Sequence, residues 1–411
     1  MLDEADGGLP VTVADVDAAA ARLAGDVVYT PSSVSETLSD ITGATVIVKF
    51  ENLQFTASYK ERGARNRLLA LTDEERARGV IAMSAGNHAQ GLAHHATLLG
   101  IASTIVIPEG TPTTKIARTQ AAGARVVMYG DDLAEAGEHA RALAASEGMV
   151  FVSPFDDADI IAGQGTVAVE LLADHPEIET LVVPVGGGGL ISGMALVAKS
   201  RRPPVEVVGV QSERYPSMVA AYRGVAMECG GPTVAEGIAV SEPGVLTSKL
   251  VRALVDDMVV VPERRIEQAI CLYLEIEKTV VEGAGAAGLA ALLEFPDRFR
   301  GRTVGLVLTG GNIDLRFLAS VIVRGLVRTG RIVRVTVEVH DRPGALAKVT
   351  ALLAENGANI LDVVHERDAP FSARDAELRL SMETRDADHA RRILGELERH
   401  GFKVVLSSIG R

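Results

Sequence analysis

A chain of 411 residues is longer than one ordinary core requires, so two or three domains are expected. With 47% hydrophobic and 23% charged residues it is globular rather than disordered; its net charge of −13, with no Lys/Arg run, argues against nucleic-acid or anionic-membrane partners. Cys229 and Cys271 stand far apart without C-x-x-C spacing, which disfavours a disulfide framework or a zinc site. The start, Met1-Leu2-Asp3-Glu4-Ala5-Asp6, is acidic and lacks the apolar core of a signal peptide. No apolar run reaches the roughly 18 residues of a membrane span, so a soluble cytoplasmic protein is expected.

In chain order, Thr12-Val13-Ala14-Asp15 reads as a capping box, and Val13, Val16, Ala20 and Leu23 follow at helical spacing. Short apolar runs then alternate with helical stretches to about residue 310. The runs are Val46–Phe50, Val80–Met83, Ser103–Ile107, Arg125–Met128, Val150–Ser153, Leu181–Val185, Glu206–Val210, Met258–Val261 and Val304–Leu308. Val/Ile-rich runs separated by about one helix each predict parallel sheets covered on both faces. Nine strands are many for one sheet, so two αβα domains with a cleft between them are expected.

The character changes near Arg328-Thr329-Gly330-Arg331. Val333, Val335, Val337 and Val339 alternate with polar residues, as in a half-exposed antiparallel strand. A helix follows with Leu346, Val349, Leu352 and Leu353 on one face, then Ile360–Arg367 and the alternating Leu378, Leu380 and Met382. A second helix carries Ala390, Ile393, Leu394 and Leu397, and Phe402–Leu406 closes the order βαββαβ, a ferredoxin-like unit. With Asp341-Arg342-Pro343-Gly344-Ala345-Leu346 after its first strand and Gly357-Ala358-Asn359-Ile360 entering its second, residues 331–411 resemble an ACT domain. That resemblance implies a small amino-acid effector. The first strand and the loop Asp341–Leu346, which includes Pro343, would supply N–H groups for its carboxylate with Gly344 allowing close approach, and Asn359, next to Ile360 of the same site, would face its ammonium group. A plain oligomerisation module is the alternative.

Three motifs carry chemistry. Lys60 sits in Ser58-Tyr59-Lys60-Glu61-Arg62-Gly63-Ala64; Ser84-Ala85-Gly86-Asn87-His88-Ala89-Gln90 follows an apolar run; Gly186-Gly187-Gly188-Gly189-Leu190 follows another and precedes a helical stretch. A lone lysine is usually a solvated cation and four glycines are usually a linker. Linkers, however, do not interrupt a strand–helix pair, and glycines at a helix N-terminus let backbone close on a phosphate. A lysine, an Asn-containing loop and a phosphate loop are the parts that hold pyridoxal 5'-phosphate (PLP), the lysine forming a Schiff base with its aldehyde. There is no G-x-x-x-x-G-K-[ST], so the loop is not that of an NTPase.

In this order the motifs resemble the threonine dehydratase (threonine ammonia-lyase) family of fold-type II, tryptophan synthase β-like PLP enzymes, over roughly residues 10 to 330. The resemblance implies a large PLP-binding domain of residues 1–49 and 155–328 and a small one of 50–154. It implies Lys60 as cofactor anchor and as the base for the Cα proton. Tyr59, where the family usually has Phe, would pack on the cofactor; Asn87 would meet its phenolic oxygen; Thr309, in Thr309-Gly310-Gly311-Asn312, would meet the pyridine nitrogen. Ser84, Ala85, Gly86 and His88 would bind the substrate carboxylate. The acid for the departing hydroxyl would be the cofactor phosphate, since no protein carboxylate is evident in the motifs.

Ala85 stands where serine racemases of this fold place a second Ser, so elimination of water from threonine, and more weakly from serine, is expected rather than racemisation. Gln211 and Ser217 occupy positions where relatives carry cation-binding carboxylates; with only Glu213 nearby, no metal is expected. His94 and His95 are adjacent and lack ligand spacing. The family implies a homo-oligomer, a dimer or a tetramer built from dimers. The alternatives are a serine dehydratase or racemase, a sulfur-transferring β-replacement enzyme (which normally has Thr where His88 stands), and a catalytically silent amino-acid sensor.

Overall fold

Alternating short strands and helices build two parallel-sheet layers in a computed structural model that describes residues 8–367 and 374–406. The reading of Met1–Asp6 therefore lies outside the described residues, as do 407–411 of the C-terminal module. Contacts divide the chain after Ile313, and the helix Leu315–Arg328 falls in the second unit.

The first unit contains both parallel sheets. Strands β1 (Ser32–Val34) and β2 (Thr45–Phe50) begin the larger one. Strands β3 (Val80–Met83), β4 (Ser103–Ile107), β5 (Arg125–Met128) and β6 (Val150–Phe151) form the smaller in the order β5-β4-β3-β6, all parallel. Strands β7 (Thr180–Pro184), β8 (Glu206–Ser212), β9 (Asp257–Val261) and β10 (Thr303–Leu308) return to the larger, whose order is β1-β2-β10-β7-β8-β9. Its β1–β2 pair is antiparallel and the rest are parallel. Every residue of β4 and β7 is buried, as strands covered by helices on both faces require. The predicted runs match these strands to within one or two residues. Strand β1, polar and three residues long, was not expected.

Glycines decide how closely the helices of this unit approach. A Cβ on Gly163 in the helix Ala158–Asp174 would lie 2.7 Å from the Arg62 carbonyl oxygen and from the Gly63 Cα. One on Gly165 would lie 2.8 Å from the carbonyl oxygen of Gly193 in the helix Gly189–Ser200. Ala158–Asp174 is thus clamped between the helix Lys60–Leu69 and the helix Gly189–Ser200. The predicted capping box is present: Thr12 Oγ1 accepts from the Asp15 N–H, and Asp15 accepts from the Thr12 N–H at 2.8 Å.

In the second unit, β11 (Ile332–His340), β12 (Asn359–Glu366), β13 (Asp375–Glu383) and β14 (Lys403–Leu406) form an antiparallel sheet in the order β12-β13-β11-β14. Helices Ala345–Glu355 and Ala387–Arg399 complete the ferredoxin-like order. Val333, Val335, Val337 and Val339 are buried while the residues between them are not, so the sheet has one covered face. The turn Asp341–Gly344 lies between β11 and its helix, and Gly344 adopts φ +89 at the helix start. The Asp341 carboxylate accepts from Arg367 Nε at 3.1 Å. Asn359 opens β12 and its amide reaches Glu383 Oε2 at 3.3 Å, and Ile360 borders a bulge in that strand.

Candidate active site

The Lys60 loop is held by its ends. Ala57 takes a left-handed φ of 56, a conformation disfavoured for a residue with a Cβ and sustained only by its surroundings. Its carbonyl oxygen accepts from Gly311 N–H at 2.9 Å, and Tyr59 N–H donates to the Thr309 carbonyl at 3.1 Å. The loop is thereby stitched to the turn that leaves β10. Lys60 is the first residue of its helix, and the predicted tight turn immediately precedes it.

That helix is anchored from its buried side. The Arg62 guanidinium donates to both oxygens of Glu51, at 2.8 and 2.7 Å, and to both of Glu170, at 2.6 and 2.8 Å. Lys49 Nζ also meets Glu170, at 2.6 Å. Two cations thus face two carboxylates, with bidentate geometry at the arginine, which is how buried charge is tolerated. Burial pushes the Glu51 carboxyl up, but the Arg62 guanidinium outweighs it and holds the group below the usual carboxylate range. On the same helix, Glu61 accepts from Thr56 N–H and pairs with buried His95 Nε2 at 3.1 Å. His94 turns the other way and stacks on Phe55, with ring centroids 4.3 Å apart.

Lys60 Nζ points inward and donates to the Pro154 carbonyl at 2.8 Å. Desolvation lowers its pKa from 10.5 to about 8, against the opposing pull of Glu282. A neutral amine is therefore accessible near physiological pH, as a lysine that attacks a carbonyl needs. The Tyr59 ring centroid lies 5.3 Å from Nζ.

The next residue along from Pro154 ties this amine to the glycine run. A Cβ on Gly187 would lie 2.3 Å from the Phe155 ring, and one on Gly189 would lie 3.0 Å from the Phe155 carbonyl oxygen. At Gly186 it would press on Ile238 Cα at 3.1 Å, and Gly188 adopts φ +96 as it starts the helix Gly189–Ser200, whose second residue is Leu190. No residue with a side chain fits in this turn. Its amides open a long helix, where the partial positive charge favours an anion. Ser84, Ala85 and Gly86 leave β3, and the helix Asn87–Leu98 begins directly after them. The cradle of glycines, a helix start and a desolvated lysine bonded to the carbonyl that precedes Phe155 together fit the phosphate and aldehyde of PLP.

His88 is buried, its Nε2 3.3 Å from the Val152 carbonyl oxygen, and its Nδ1 has no partner. Burial, then the charge of Lys60, drive its pKa down to about 3, so the ring is neutral. Its side chain turns into the protein; only its backbone remains to face a substrate. Thr309 is buried at the end of β10 beside the Lys60 loop. Gln211 Oε1 accepts from the Val219 N–H at 2.9 Å, Ser217 Oγ donates to the Val240 carbonyl at 2.5 Å, and Glu213 accepts from Glu263 N–H at 3.2 Å.

The motifs leave out one carboxyl group next to this site: Glu282 Oε1 accepts from Asn87 Nδ2 at 2.7 Å. Burial raises the Glu282 pKa to about 7, partly offset by that hydrogen bond. In the sequence it is a single acid ahead of the Ala/Gly-rich helix Gly283–Glu294, a pattern that reads as an ordinary helix start. The only available signal was an acid next to small residues that admit close approach.

Residues 23–310 match the family described as pyridoxal-phosphate dependent enzyme, and residues 333–402 match the ACT domain. An L-threonine ammonia-lyase of Thermotoga maritima is 46% identical over 399 residues, which cover 96% of this chain and 99% of that protein. Among solved structures, maize serine racemase superposes with a TM-score of 0.72 at 34% identity, covering 77% of this chain and 98% of that one. The processed form of threonine deaminase isoform 2 from Solanum lycopersicum gives a TM-score of 0.71 at 33% identity, covering 77% and 91%. No helix among the described residues is long and apolar enough to cross a membrane.

Proposed function

The chain belongs to the pyridoxal-phosphate-dependent enzymes and carries an ACT domain, and from that premise we propose that it deaminates L-threonine to 2-oxobutanoate and ammonia. The reaction is an α,β-elimination of water by a carbon–nitrogen lyase, with L-serine giving pyruvate as the weaker case. The observation that carries this reading is the desolvated Lys60 amine, bonded to the Pro154 carbonyl beside the Phe155 that packs on the glycine run, in a chain similar over 96% of its length to an L-threonine ammonia-lyase.

Bound PLP supplies an electron sink that acidifies the substrate Cα–H. The chain's residues do the rest. Lys60 Nζ would anchor the cofactor and would hold the substrate's Cα proton. The amides of Gly186–Gly189 and Leu190 would bind the phosphate, Asn87 and Thr309 would orient the ring, and Tyr59 would pack on it. Backbone of Ser84–His88 receives the substrate carboxylate. A neutral Thr309 hydroxyl leaves the ring nitrogen a weaker electron sink than a carboxylate would, which suits elimination. A γ-methyl is worth about 1–3 kcal/mol of discrimination, which sets threonine ahead of serine.

The first unit is read as two lobes, residues 50–154 and the remainder, with the cleft between them. In the second unit we assign a small amino acid, isoleucine or valine, to the loop Asp341–Gly344 and to Asn359 and Ile360, in a homo-oligomer. Incubating the purified protein with threonine and serine tests the reading. Oxo-acid and ammonia should appear in equal amounts from both, faster from threonine, with residual serine remaining L by chiral chromatography. Accumulation of D-serine at a rate comparable with pyruvate would favour the racemase, to which the first unit is also similar.

A further inference from the structure

The Asn87 amide is fixed from both ends. Its Nδ2 donates to Glu282 at 2.7 Å, and its Oδ1 accepts from Asn312 Nδ2 at 2.9 Å. Asn312 Nδ2 also donates to the Thr56 carbonyl at 2.7 Å, which joins the chain of bonds to the Lys60 loop. An amide can in principle lie either way round, because its oxygen and nitrogen are nearly the same size. Turned over, Asn87 would set its oxygen against a carboxyl oxygen and its NH2 against the Asn312 NH2, acceptor facing acceptor and donor facing donor. The carboxyl and the Asn312 amide together select one orientation, in which a single N–H of Asn87 is left over.

The carboxyl itself has little freedom. A Cβ on Gly310 would lie 2.7 Å from Glu282 Oε1, and one on Gly237 would lie 3.3 Å from it. Two glycines from different loops make the room that this oxygen occupies. Gly310 follows Thr309 and bridges to Ser58, so the space lies on the wall that carries Lys60. An oxygen of a carboxyl group accepts whether the group is ionised or protonated, so a value near 7 leaves the bond intact on either side of neutrality.

We propose that Glu282 is a positioning residue for this reaction: its carboxyl locks the Asn87 amide so that the remaining N–H is presented to the ring oxygen of the cofactor. This rests on the PLP reading above. In this role Glu282 acts on Asn87 through reach and hydrogen-bond polarity, separately from the charge with which it opposes the desolvation of Lys60, and it touches neither substrate nor cofactor.

The test reads cofactor affinity, not turnover. Full-length protein is stripped of PLP and titrated back while the visible absorption band is followed. Losing a hydrogen bond to a polar ligand group weakens binding by roughly 10- to 100-fold. Glu282→Ala and Asn87→Ala should each show such a loss. The double variant should be no weaker than Asn87→Ala alone, because both changes remove the same contact. Glu282→Gln, whose amide oxygen reaches Asn87 equally well, should stay within about threefold of the parent. Glu282→Asp keeps the charge but is one methylene short, and should lose affinity as Ala does. Additive losses in the double variant, parental affinity in Glu282→Ala or Glu282→Asp, or a loss in Glu282→Gln equal to that in Glu282→Ala would each overturn the proposal. A parent protein that develops no visible band with PLP would instead overturn the cofactor reading, so the two failures are distinguishable.

Discussion

An amine that attacks a carbonyl must be neutral, and Lys60 is brought toward neutrality by loss of water around its ammonium group. Its folded pKa of about 8 lies below the ordinary 10.5. Between those values the unfolded chain binds more protons at this residue than the folded one, so its contribution to stability rises with pH across that window and is least below about 8. With Lys60 as the cofactor anchor, as proposed, the same titration would govern capture of the cofactor. The rate at which stripped protein takes up PLP should climb as pH rises through about 8 and then level off, as followed by stopped-flow absorbance. Replacing Lys60 with Ala should abolish the visible band and lower turnover by orders of magnitude. Borohydride reduction and peptide mapping of the parent should place the label on Lys60, and a label on another lysine would contradict the assignment.

Helices in the first unit meet at glycines, and the contact sets where Lys60 stands. Gly163→Ala would drive a methyl group into the backbone of Arg62 and Gly63, which cannot give way as a flexible side chain could. Overpacking of this kind costs about 1–3 kcal/mol, so the melting temperature should fall by several degrees. PLP affinity should fall with it, because the Lys60 helix is displaced. Gly395, inside the helix Ala387–Arg399, is the opposite case: an added Cβ meets nothing within 4 Å. Gly395→Ala should therefore stabilise the C-terminal unit, by about 0.5–1 kcal/mol, through helix propensity alone. Calorimetry on the two variants reads both signs.

For the molecule as a whole, the chain divides after Ile313 into a catalytic unit and a unit that contains the ACT fold. If an amino acid acts through the second unit, it does so by favouring one state of the whole protein, typically worth about 1–3 kcal/mol. Ending the chain after Arg328 should leave measurable deamination of threonine while removing any change on adding isoleucine or valine. Gly344→Asp should do the same in the full-length protein. Gly344 has φ +89 with open space around it, so an aspartate there is strained and sets a negative charge where a carboxylate would bind. Calorimetry that detects no amino-acid binding beyond the substrates would remove the regulatory role and leave the domain a structural one.

Local chemistry was enough for much of this. Buried parallel strands announce themselves as Val/Ile runs because both faces are covered, and β11 as alternation because only one face is. Glycine runs and the Lys60 motif are legible because their function needs particular residues next to one another in the chain. Strand β1 was missed because its pairing with β2, not the composition of Ser32–Val34, makes it a strand. The pairing of Arg62 with Glu51 and Glu170, the inward turn of His88 and the arrival of Glu282 at Asn87 join residues 11 to 195 positions apart. No spacing rule links them. They meet because two sheets and the glycine-lined helix contacts fold distant loops onto one wall, and only there do burial and hydrogen bonding choose which carboxylate holds which amide.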